Sequence, residues 1–229
     1  MQQREVRAAK HTVRGDIGDH KAGTPRAIQP MQRLEEIAAL PGPEFCLSAT
    51  LLQPRKFWEK SVISPANYGE TIETFDEGRL LAEYMNYPHG DWSGSTWPPI
   101  VLHRDMWDLA GGFSVEFSPG LYSDPDLSAK LYMAGVRHFK GVDKSRVYHF
   151  EARSTGRVRK NKGSRQFLFK WGITSSAFMM HILHRGERYG AASKGRLGLL
   201  HSLFRSRMKL IWGSFLPPGH SKTLWEDKA

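Results

Sequence analysis

The pattern of apolar and polar positions along this chain predicts a domain of mixed α/β class. A mainly apolar run at 45–52, interrupted only by Ser48 and Thr50, lies between prolines, which is typical of a buried β-strand. Shorter apolar runs predict strands at 100–103, 136–142 and 145–150. Between the strands, apolar residues recur every three or four positions, which favours helices. The predicted helices are residues 31–40, 77–84, 104–110, 124–134, 167–183 and 196–215.

Residues with known preferences mark the ends of several predicted helices. Asp76 can accept a hydrogen bond from the first turn of the helix that follows it. Pro125 and Asp126 suit the first turn of the helix at 124–134, and Gly135 ends that helix. Of all the segments, 124–134 is therefore the one with the strongest helical signal.

Length and composition divide the chain into three parts. Residues 1–30 are basic and polar, lack apolar periodicity and close with Pro30, so we expect a disordered tail. Residues 31–185 hold the predicted strands and most of the helices, and form one domain. The chain has 229 residues with 40% hydrophobic, which suits a single core. Residues 186–229 are predicted to be a basic, amphipathic helical extension.

The positive charge is concentrated in the last third of the chain. Residues 151–229 contain 16 Lys and Arg but only 4 Asp and Glu. Within them, residues 196–215 place an apolar face opposite a basic one, which is the composition of a helix that lies in an anionic membrane surface. A helix packed on the domain with its basic side chains in water would have a similar pattern. Both interpretations remain open at this point.

Cysteine usage and hydropathy bear on where the protein works. Cys46 is the single cysteine, so no disulfide can form within the chain, and its apolar neighbours predict a buried, inert thiol. The N-terminus carries no apolar signal-peptide core, and no apolar run approaches the ~18 residues that span a bilayer. We expect a cytoplasmic protein that can lie peripherally at the inner face of the membrane.

Two carboxylates at the start of one predicted helix are the candidate catalytic groups. Asp124 and Asp126 are separated by one residue, and a helix N-terminus stabilises the anionic form of a base. Such a carboxylate can take the proton from an attacking hydroxyl. A purely structural interpretation is that Asp124 caps the helix and Asp126 sits in its first turn.

An ordered series of motifs surrounds this acidic pair. The series is Trp97-Pro98-Pro99, Val101-Leu102-His103-Arg104, Trp107, Gly111-Gly112-Phe113, Ser123-Asp124-Pro125-Asp126-Leu127, Lys130-Leu131, Gly135, Val147-Tyr148-His149-Phe150 and Lys170-Trp171-Gly172. In its order and spacing, this series resembles the C-terminal, acceptor-side half of family 2 glycosyltransferases, which have the GT-A fold. The resemblance covers residues 32–185. It implies a partial GT-A fold, with a mixed sheet flanked by helices and a C-terminal helical extension.

The resemblance also implies a reaction and the residues that perform it. A sugar would pass from a nucleotide-sugar donor to a glycan or lipid-linked acceptor by an inverting, metal-assisted displacement. Asp124 lies where the family has its catalytic base, although Ser123 replaces the usual Glu before it, and Asp126 matches the second acid. His149 resembles a ligand of the divalent metal, Mn²⁺ or Mg²⁺. The residues expected to bind substrate are Trp92, Trp97, Gly111, Gly112 and Tyr122. Hydrophobic anchoring of a long loop is an equal alternative for the two tryptophans.

One departure from the family bears on activity. Full members begin with a nucleotide-binding half that supplies an Asp-x-Asp pair, and nothing in residues 1–30 resembles it. We therefore expect a truncated member or one that needs a second chain, with a non-catalytic, acceptor- or membrane-binding fragment as the alternative. A nucleic-acid binder is a third hypothesis, based on a basic run, but no known nucleic-acid-binding signature accompanies it. That run contains Arg153, Arg157, Arg159, Lys160, Lys162 and Arg165.

Overall fold

A computed structural model describes residues 26–27, 37–96, 98–118, 121–150, 163–191 and 197–215. In these ranges a mixed six-stranded sheet is flanked by helices, so the predicted α/β class is confirmed. The strands are β1 (Arg26–Ala27), β2 (Phe45–Leu52), β3 (Val62–Ile63), β4 (Trp92–Ser93), β5 (Ile100–Leu102) and β6 (His138–Tyr148).

Six α-helices and two short 3₁₀ turns accompany the sheet in the described ranges. The α-helices are α1 (Glu77–Glu83), α2 (Arg104–Ala110), α3 (Ser123–Met133), α4 (Gly163–Trp171), α5 (Ser175–His181) and α6 (Leu197–Phe215). The 3₁₀ turns are Tyr84–Asn86 and Val115–Phe117.

Strand β2 is the centre of the sheet, and all eight of its residues are buried. It pairs in parallel with β6 along its whole length. On its other side it pairs with β5, antiparallel, at its start and with β3, parallel, at its end. Strands β1 and β4 both pair antiparallel with β6. A strand enclosed in this way needs apolar residues on both faces, and its two polar residues, Ser48 and Thr50, are hydrogen-bonded to Ser95 and to the Val142 carbonyl.

Strand β6 is one element where the sequence predicts two. Val142 lies opposite Ala49 and Arg146 lies opposite Thr50, so β6 has three extra residues at this point. The predicted gap between two strands is thus an irregularity inside one strand. Arg146 follows the three extra residues and is only 2% exposed. Its guanidinium donates to the Asp143 carboxylate at 2.8 Å and to backbone carbonyls of the Tyr84–Asn86 turn and the residue after it.

Several predicted helices are confirmed, and one is divided. Helix α1 is capped by Asp76, whose Oδ1 accepts a hydrogen bond from the Arg79 N–H at 2.9 Å; its Leu80 is buried and its Leu81 is exposed. The helix predicted at 167–183 is two helices, α4 and α5, because Gly172 adopts a left-handed conformation with φ 69°. Helix α6 forms as predicted.

The described residues also revise the predicted boundaries at the N-terminal end. Residues 26–27 form β1, although 1–30 are predicted to be a disordered tail; the remainder of that segment lies outside the described residues. Of the helix predicted at 31–40, only residues 37–40 are described, and Ile37 and Ala38 are helical. The hydrogen bonds of β1 with β6 make this short segment part of the sheet.

The main core lies between one face of the sheet and helices α3, α4 and α5. Its buried members include Phe117, Leu127, Leu131, Phe139, Phe167 and Phe178. Cys46 belongs to it, and burial raises the pKa of its thiol to about 11, which confirms the predicted inert cysteine. In the part of the chain that the structure describes, no helix has the length and apolar character to cross a bilayer.

Trp92 on β4 closes the sheet over Gly141 of β6. The indole is 2% exposed, and its Nε1 donates to Thr50 Oγ1 at 3.0 Å. A Cβ at Gly141 would lie 1.8 Å from Trp92 Cε2. Only glycine therefore fits beneath the ring, because no real Cβ approaches that closely.

Substituting Gly141 tests this packing. We expect Gly141→Ala to lower the free energy of unfolding by roughly 3 kcal/mol, the upper end for overpacking, since the indole cannot move without losing its hydrogen bond. Gly90→Ala is the control, because a Cβ there meets no atom within 4 Å. Urea denaturation of both variants measures the difference, and equal stability of the two would contradict the packing described.

Candidate active site

Asp124 lies in the first turn of α3 and does not cap it. The helix begins at Ser123, and the preceding Tyr122 has a left-handed backbone with φ 71°. No side chain makes a capping hydrogen bond at this end of α3. The structural alternative, in which Asp124 is the N-cap, is therefore wrong, and the Asp124 side chain has no capping role.

The Asp124 carboxylate is half-buried and, among the described residues, has neither a hydrogen bond nor an ion pair. Burial without a compensating partner disfavours the charged form and raises the pKa of this carboxyl to about 6. An acid that titrates near neutrality can accept a proton in one step and release it in the next. A catalytic role for Asp124 stays a prediction, and its raised pKa is compatible with one.

Asp126, two residues further on, has the opposite environment. Its side chain is 0% exposed. Oδ1 accepts hydrogen bonds from the Trp171 Nε1 at 2.8 Å and from the Lys170 Nζ at 2.9 Å, and Oδ2 accepts one from the Ser114 Oγ at 2.6 Å. A carboxylate satisfied on both oxygens by side chains and enclosed by protein cannot reach a substrate. Asp126 is therefore a positioning residue, and the role of second reactive acid does not fit it.

Lys170 is the cation at the centre of this arrangement. Its Nζ also contacts Glu116 Oε1 at 2.7 Å and Ser114 Oγ at 2.9 Å, and its side chain is 28% exposed. Burial alone would lower the pKa of Lys170, but the bonds to Glu116 and Asp126 outweigh burial and raise it. The Lys170 bond lowers the pKa of Glu116. We call these residues, with Ser114, Asp126 and Trp171, the buried network after the enclosed Asp126 carboxylate at its centre; its Lys170 and Glu116 side chains reach the surface.

The Gly111-Gly112 loop after α2 is hydrogen-bonded to Lys130 of α3 beside the buried network. Gly111 ends α2 with φ 70° and is exposed, and Gly112 follows with φ 61°. The Gly112 carbonyl accepts a hydrogen bond from the Lys130 Nζ. A Cβ on Gly112 would lie 2.8 Å from the Trp107 ring, so glycine is required for both its conformation and its close contact. The two glycines shape the loop between α2 and Ser114.

An apolar groove lies on the other side of this loop. It has a volume of about 640 Å³, and apolar side chains from β5, Trp107 of α2 and Phe113 line it, with Arg104 as the one charged residue among them. Trp107 and Phe113 meet edge to face, with ring centroids 5.5 Å apart. Phe113 stands between Gly112 and Ser114 in the chain. Phe113 lines the groove, and the next residue, Ser114, belongs to the buried network. The groove and the network are therefore adjacent along the chain.

Three of the predicted substrate-binding residues occupy positions of different kinds. Trp92 is enclosed in the sheet with Gly141 beneath its ring, so no ring face is available to a sugar, and the loop-anchoring alternative is correct for it. Trp97 lies outside the described residues. Tyr122 is half-buried and packs against the main core at the start of α3. A substrate contact by Tyr122, Gly111 or Gly112 stays a prediction.

His149 belongs to the end of β6. Its Nδ1 lies 2.8 Å from Gln53 Nε2, and its backbone N–H donates to the Leu52 carbonyl at 2.9 Å. In the described ranges, no three His, Cys, Asp or Glu side chains form a group that could hold a metal. Metal binding by His149 therefore stays a prediction.

The buried network contains residues that the sequence motifs name without assigning a role. Lys170 and Trp171 are far from Asp126 in sequence, and Ser114 and Glu116 follow the glycine loop. In the sequence, the signal for these residues is the basic-aromatic pair Lys170-Trp171. The sequence alone does not show that this pair meets Asp126. The structure brings together Gly112, Ser114, Asp126, Lys130, Lys170 and Trp171.

Comparisons with other proteins give no further assignment. No protein-family model, no curated protein and no solved structure matches this chain. A function for this chain therefore has to be inferred from the arrangement of charged and aromatic side chains around α3.

The unpaired carboxylate predicts that Asp124→Asn makes the protein more stable at neutral pH. The pKa of Asp124 is about 6 in the folded state and about 3.8 in the unfolded state, so folding favours the protonated form. Stability should fall as the pH rises from about 4 to about 6, by roughly 3 kcal/mol in all. The Asn variant lacks this loss, so we expect it to be roughly 3 kcal/mol more stable at about pH 7.5 and little different at about pH 4.

Urea denaturation at the two pH values provides this measurement. Lower stability of the Asn variant at neutral pH would mean that the Asp124 carboxylate makes a stabilising contact. That result would remove the physical basis for its raised pKa.

The enclosed carboxylate predicts the reverse for Asp126→Asn. An amide cannot neutralise Lys170 or accept all three hydrogen bonds, and breaking a buried pair costs about 3 kcal/mol or more. Asp108→Asn is the matched control, because the Asp108 pair with Arg104 is exposed and such pairs contribute at most about 1 kcal/mol. Thermal or urea unfolding compares the two; an Asp126→Asn variant as stable as the control would contradict the role of the buried network.

Proposed function

We propose that this chain is the acceptor-side part of a glycosyltransferase, in which Asp124 is the general base. The observation that carries the proposal is a half-buried carboxylate at the start of α3 with its pKa raised to about 6 and no partner among the described residues. The resemblance of the motif series to family 2 glycosyltransferases implies a catalytic base at this same position.

The raised pKa supports proton transfer from a sugar hydroxyl. A base with a very low pKa would hold a proton too weakly to assist the attack, and one with a pKa well above 7 would be protonated already. A carboxylate with a pKa near 6 is mostly ionised at neutral pH. Burial alone, without a charged neighbour, raises the pKa of Asp124 this far. Tuning of a carboxyl group by burial is a common feature of catalytic acids and bases.

The buried network supports the proposal by fixing the position of the base. Asp126 anchors α3 through Lys170 and Trp171 of α4, one half-turn from Asp124. A general base contributes only when it is held within hydrogen-bond reach of the attacking oxygen. A rigid, internal ion pair directly beneath the first turn of α3 is a means of holding it.

The groove beside Phe113 supports an acceptor with an apolar portion. Its lining is apolar apart from Arg104, and the exposed faces of Trp107 and Phe113 can cover a lipid or an apolar sugar face. A lipid-linked acceptor, whose hydrophobic part lies in the groove and whose hydroxyl lies near Asp124, fits both features. Among the two expected acceptor classes, the groove therefore favours the lipid-linked one.

The chemical step in this proposal is a single inverting displacement. Asp124 removes the proton from the acceptor hydroxyl as the acceptor oxygen forms a bond to the anomeric carbon. The bond from that carbon to the nucleotide diphosphate breaks, and the diphosphate leaves with the electron pair. A divalent ion, where it binds, would neutralise the leaving diphosphate. The described residues supply the base and the acceptor groove.

Sugar transfer can be measured with a panel of nucleotide sugars, Mn²⁺ or Mg²⁺, and lipid-linked and free glycan acceptors. We expect Asp124→Asn to lower kcat by roughly 10²- to 10⁴-fold, the usual contribution of a general base. Asp108→Asn removes an exposed acid on α2 and should leave the rate unchanged. Equal rates for the wild type and Asp124→Asn would exclude the role proposed for this residue.

The pH dependence of the same rate gives an independent prediction. Because only the ionised carboxylate can accept a proton, kcat/KM should rise about tenfold per pH unit below about pH 6 and level off above it. A profile without an inflection between about pH 5 and 7 would count against Asp124 as the base.

Calorimetry with uridine and guanosine diphosphates in the presence of Mn²⁺ separates the transferase from a non-catalytic acceptor-binding fragment. Micromolar nucleotide binding would favour the transferase. Neither nucleotide binding nor transfer with any donor would overturn the proposal in favour of the fragment.

A further inference from the structure

The outward face of α6 is apolar. Six large side chains point away from the domain. They recur every three or four residues, apart from an adjacent pair at the end: Leu197, Leu200, Phe204, Met208, Ile211 and Trp212. Leu197 is 83% exposed, Phe204 64% and Trp212 58%. We call this set the outward stripe. A helix on the surface of a water-soluble domain normally places polar residues here.

The opposite face of α6 is the one that packs on the domain. Ser206 and Gly213 are buried, and Leu199 and Leu203 pack against the main core. Ser206 accepts a hydrogen bond from the Thr174 N–H at 3.2 Å, which fixes α6 against the start of α5. The inward face therefore makes the contacts between α6 and the described part of the domain, and the outward stripe lies on the other side of the helix.

Basic residues border the outward stripe, and no acidic residue does. Residues 197–215 contain Arg205, Arg207 and Lys209 and neither Asp nor Glu. In the sequence, the basic residues are expected on the face opposite the apolar one; in the structure, they flank an apolar face that points outward. An exposed apolar stripe with basic edges matches a surface whose interior is apolar and whose boundary is anionic.

A cavity between α5 and α6 opens beside Arg205 and Lys209. It has a volume of about 240 Å³, several times the roughly 30 Å³ that one water occupies in the liquid. Its lining is rich in hydroxyl and basic groups and has no carboxylate; the residues include Thr174, Ser176, Ser202, Arg205, Ser206 and Lys209.

The two basic side chains of this cavity are not used by the protein itself. Within the described residues, neither Arg205 nor Lys209 makes a hydrogen bond or an ion pair. The hydroxyls of Ser202 and Ser206, by contrast, are engaged with His181 and with the backbone. The cavity thus presents two cations, with the Ser176 hydroxyl beside them, to an anionic group from outside.

We propose that α6 docks this protein on an anionic phospholipid bilayer and that the cavity between α5 and α6 binds the phosphate of one lipid headgroup. The outward stripe lies among the upper acyl chains, with Trp212 at the level of the headgroups. The axis of α6 then lies in the plane of the membrane. Arg205 and Lys209 form a two-cation clamp for a phosphate at the edge of the stripe. The proposal is independent of the transferase reaction, because no α6 residue belongs to the buried network.

Flotation with lipid vesicles tests the docking. The full chain is mixed with vesicles of phosphatidylcholine alone and of phosphatidylcholine with phosphatidylglycerol. We expect flotation with the anionic vesicles and release at high salt. The double variant Phe204→Ser/Ile211→Ser should lose flotation while keeping its far-UV circular dichroism, because both side chains are exposed. Flotation of this variant like the wild type, or no flotation of the wild type at low salt, would overturn the proposal.

A matched pair of charge variants tests the cavity separately. Arg205 lines the cavity, whereas Arg207 is on the same helix and does not. Loss of one basic charge near an anionic surface weakens binding roughly fivefold by general attraction. We expect Arg207→Gln to show at most that effect and Arg205→Gln/Lys209→Gln to weaken binding by more than the roughly 30-fold that two such charges explain. Weakening of the double variant within that limit would exclude a headgroup clamp.

Two further measurements identify other occupants. Calorimetry with inorganic phosphate tests a soluble ligand: phosphate binding that needs Arg205, together with absent flotation, would assign the cavity to a free phosphate and reject docking. Light scattering without lipid tests a second copy of this chain: a dimer that Phe204→Ser dissociates would show that the outward stripe is a protein interface. A monomer that floats only with anionic vesicles is the result we expect.

Discussion

The fully enclosed carboxylate of Asp126 is the constraint on which the candidate site depends. A buried charge is tolerated only when it is paired and hydrogen-bonded, and this one has Lys170, Trp171 and Ser114 around it. These partners come from α4 and from the segment after α2, so satisfying one acid holds three parts of the chain together. Asp124 lies two residues earlier and has no such partners among the described residues. The same helix turn thus contains one carboxylate fixed by the interior and one whose pKa burial raises to about 6.

This contrast means that the two acids of α3 affect stability in opposite directions. Removing the charge of Asp126 disturbs packing, whereas removing the charge of Asp124 relieves an unfavourable burial. Catalytic groups are often held in environments that cost the folded state free energy, and the surrounding structure provides the compensation. Here the compensation is local, since it comes from the acid on the same turn.

The sequence predicted local structure well and long-range contacts poorly. Asp76 as a cap, the apolar run of β2 and the glycine end of α2 depend on neighbouring residues only, and each was predictable. The division of 167–183 depends on a left-handed Gly172, and helix propensity alone does not show whether a single glycine inside an apolar helical pattern is tolerated or ends the helix. In the sequence, Trp92 is equally compatible with stacking on a sugar and with anchoring a loop. Its contact with Gly141 decides between them, but that contact joins two strands and leaves no local signal in the sequence. The meeting of Asp126 with Lys170 is likewise tertiary and leaves no periodic signal.

Gly172 has a role in both sites because of where it divides the chain. On one side of it, Lys170 and Trp171 bind Asp126; on the other, Thr174 contacts Ser206 of α6 next to the phosphate cavity. Trp171 and Thr174 are three peptide units apart, which is too few for the backbone to compensate for a change in direction at Gly172. A residue with a side chain at 172 would be strained by the positive φ and would redirect α4 and α5 relative to each other. Variants at this one position would therefore disturb the proposed transfer site and the proposed lipid site together, since Gly172 sets the relative direction of the helices that contribute to each.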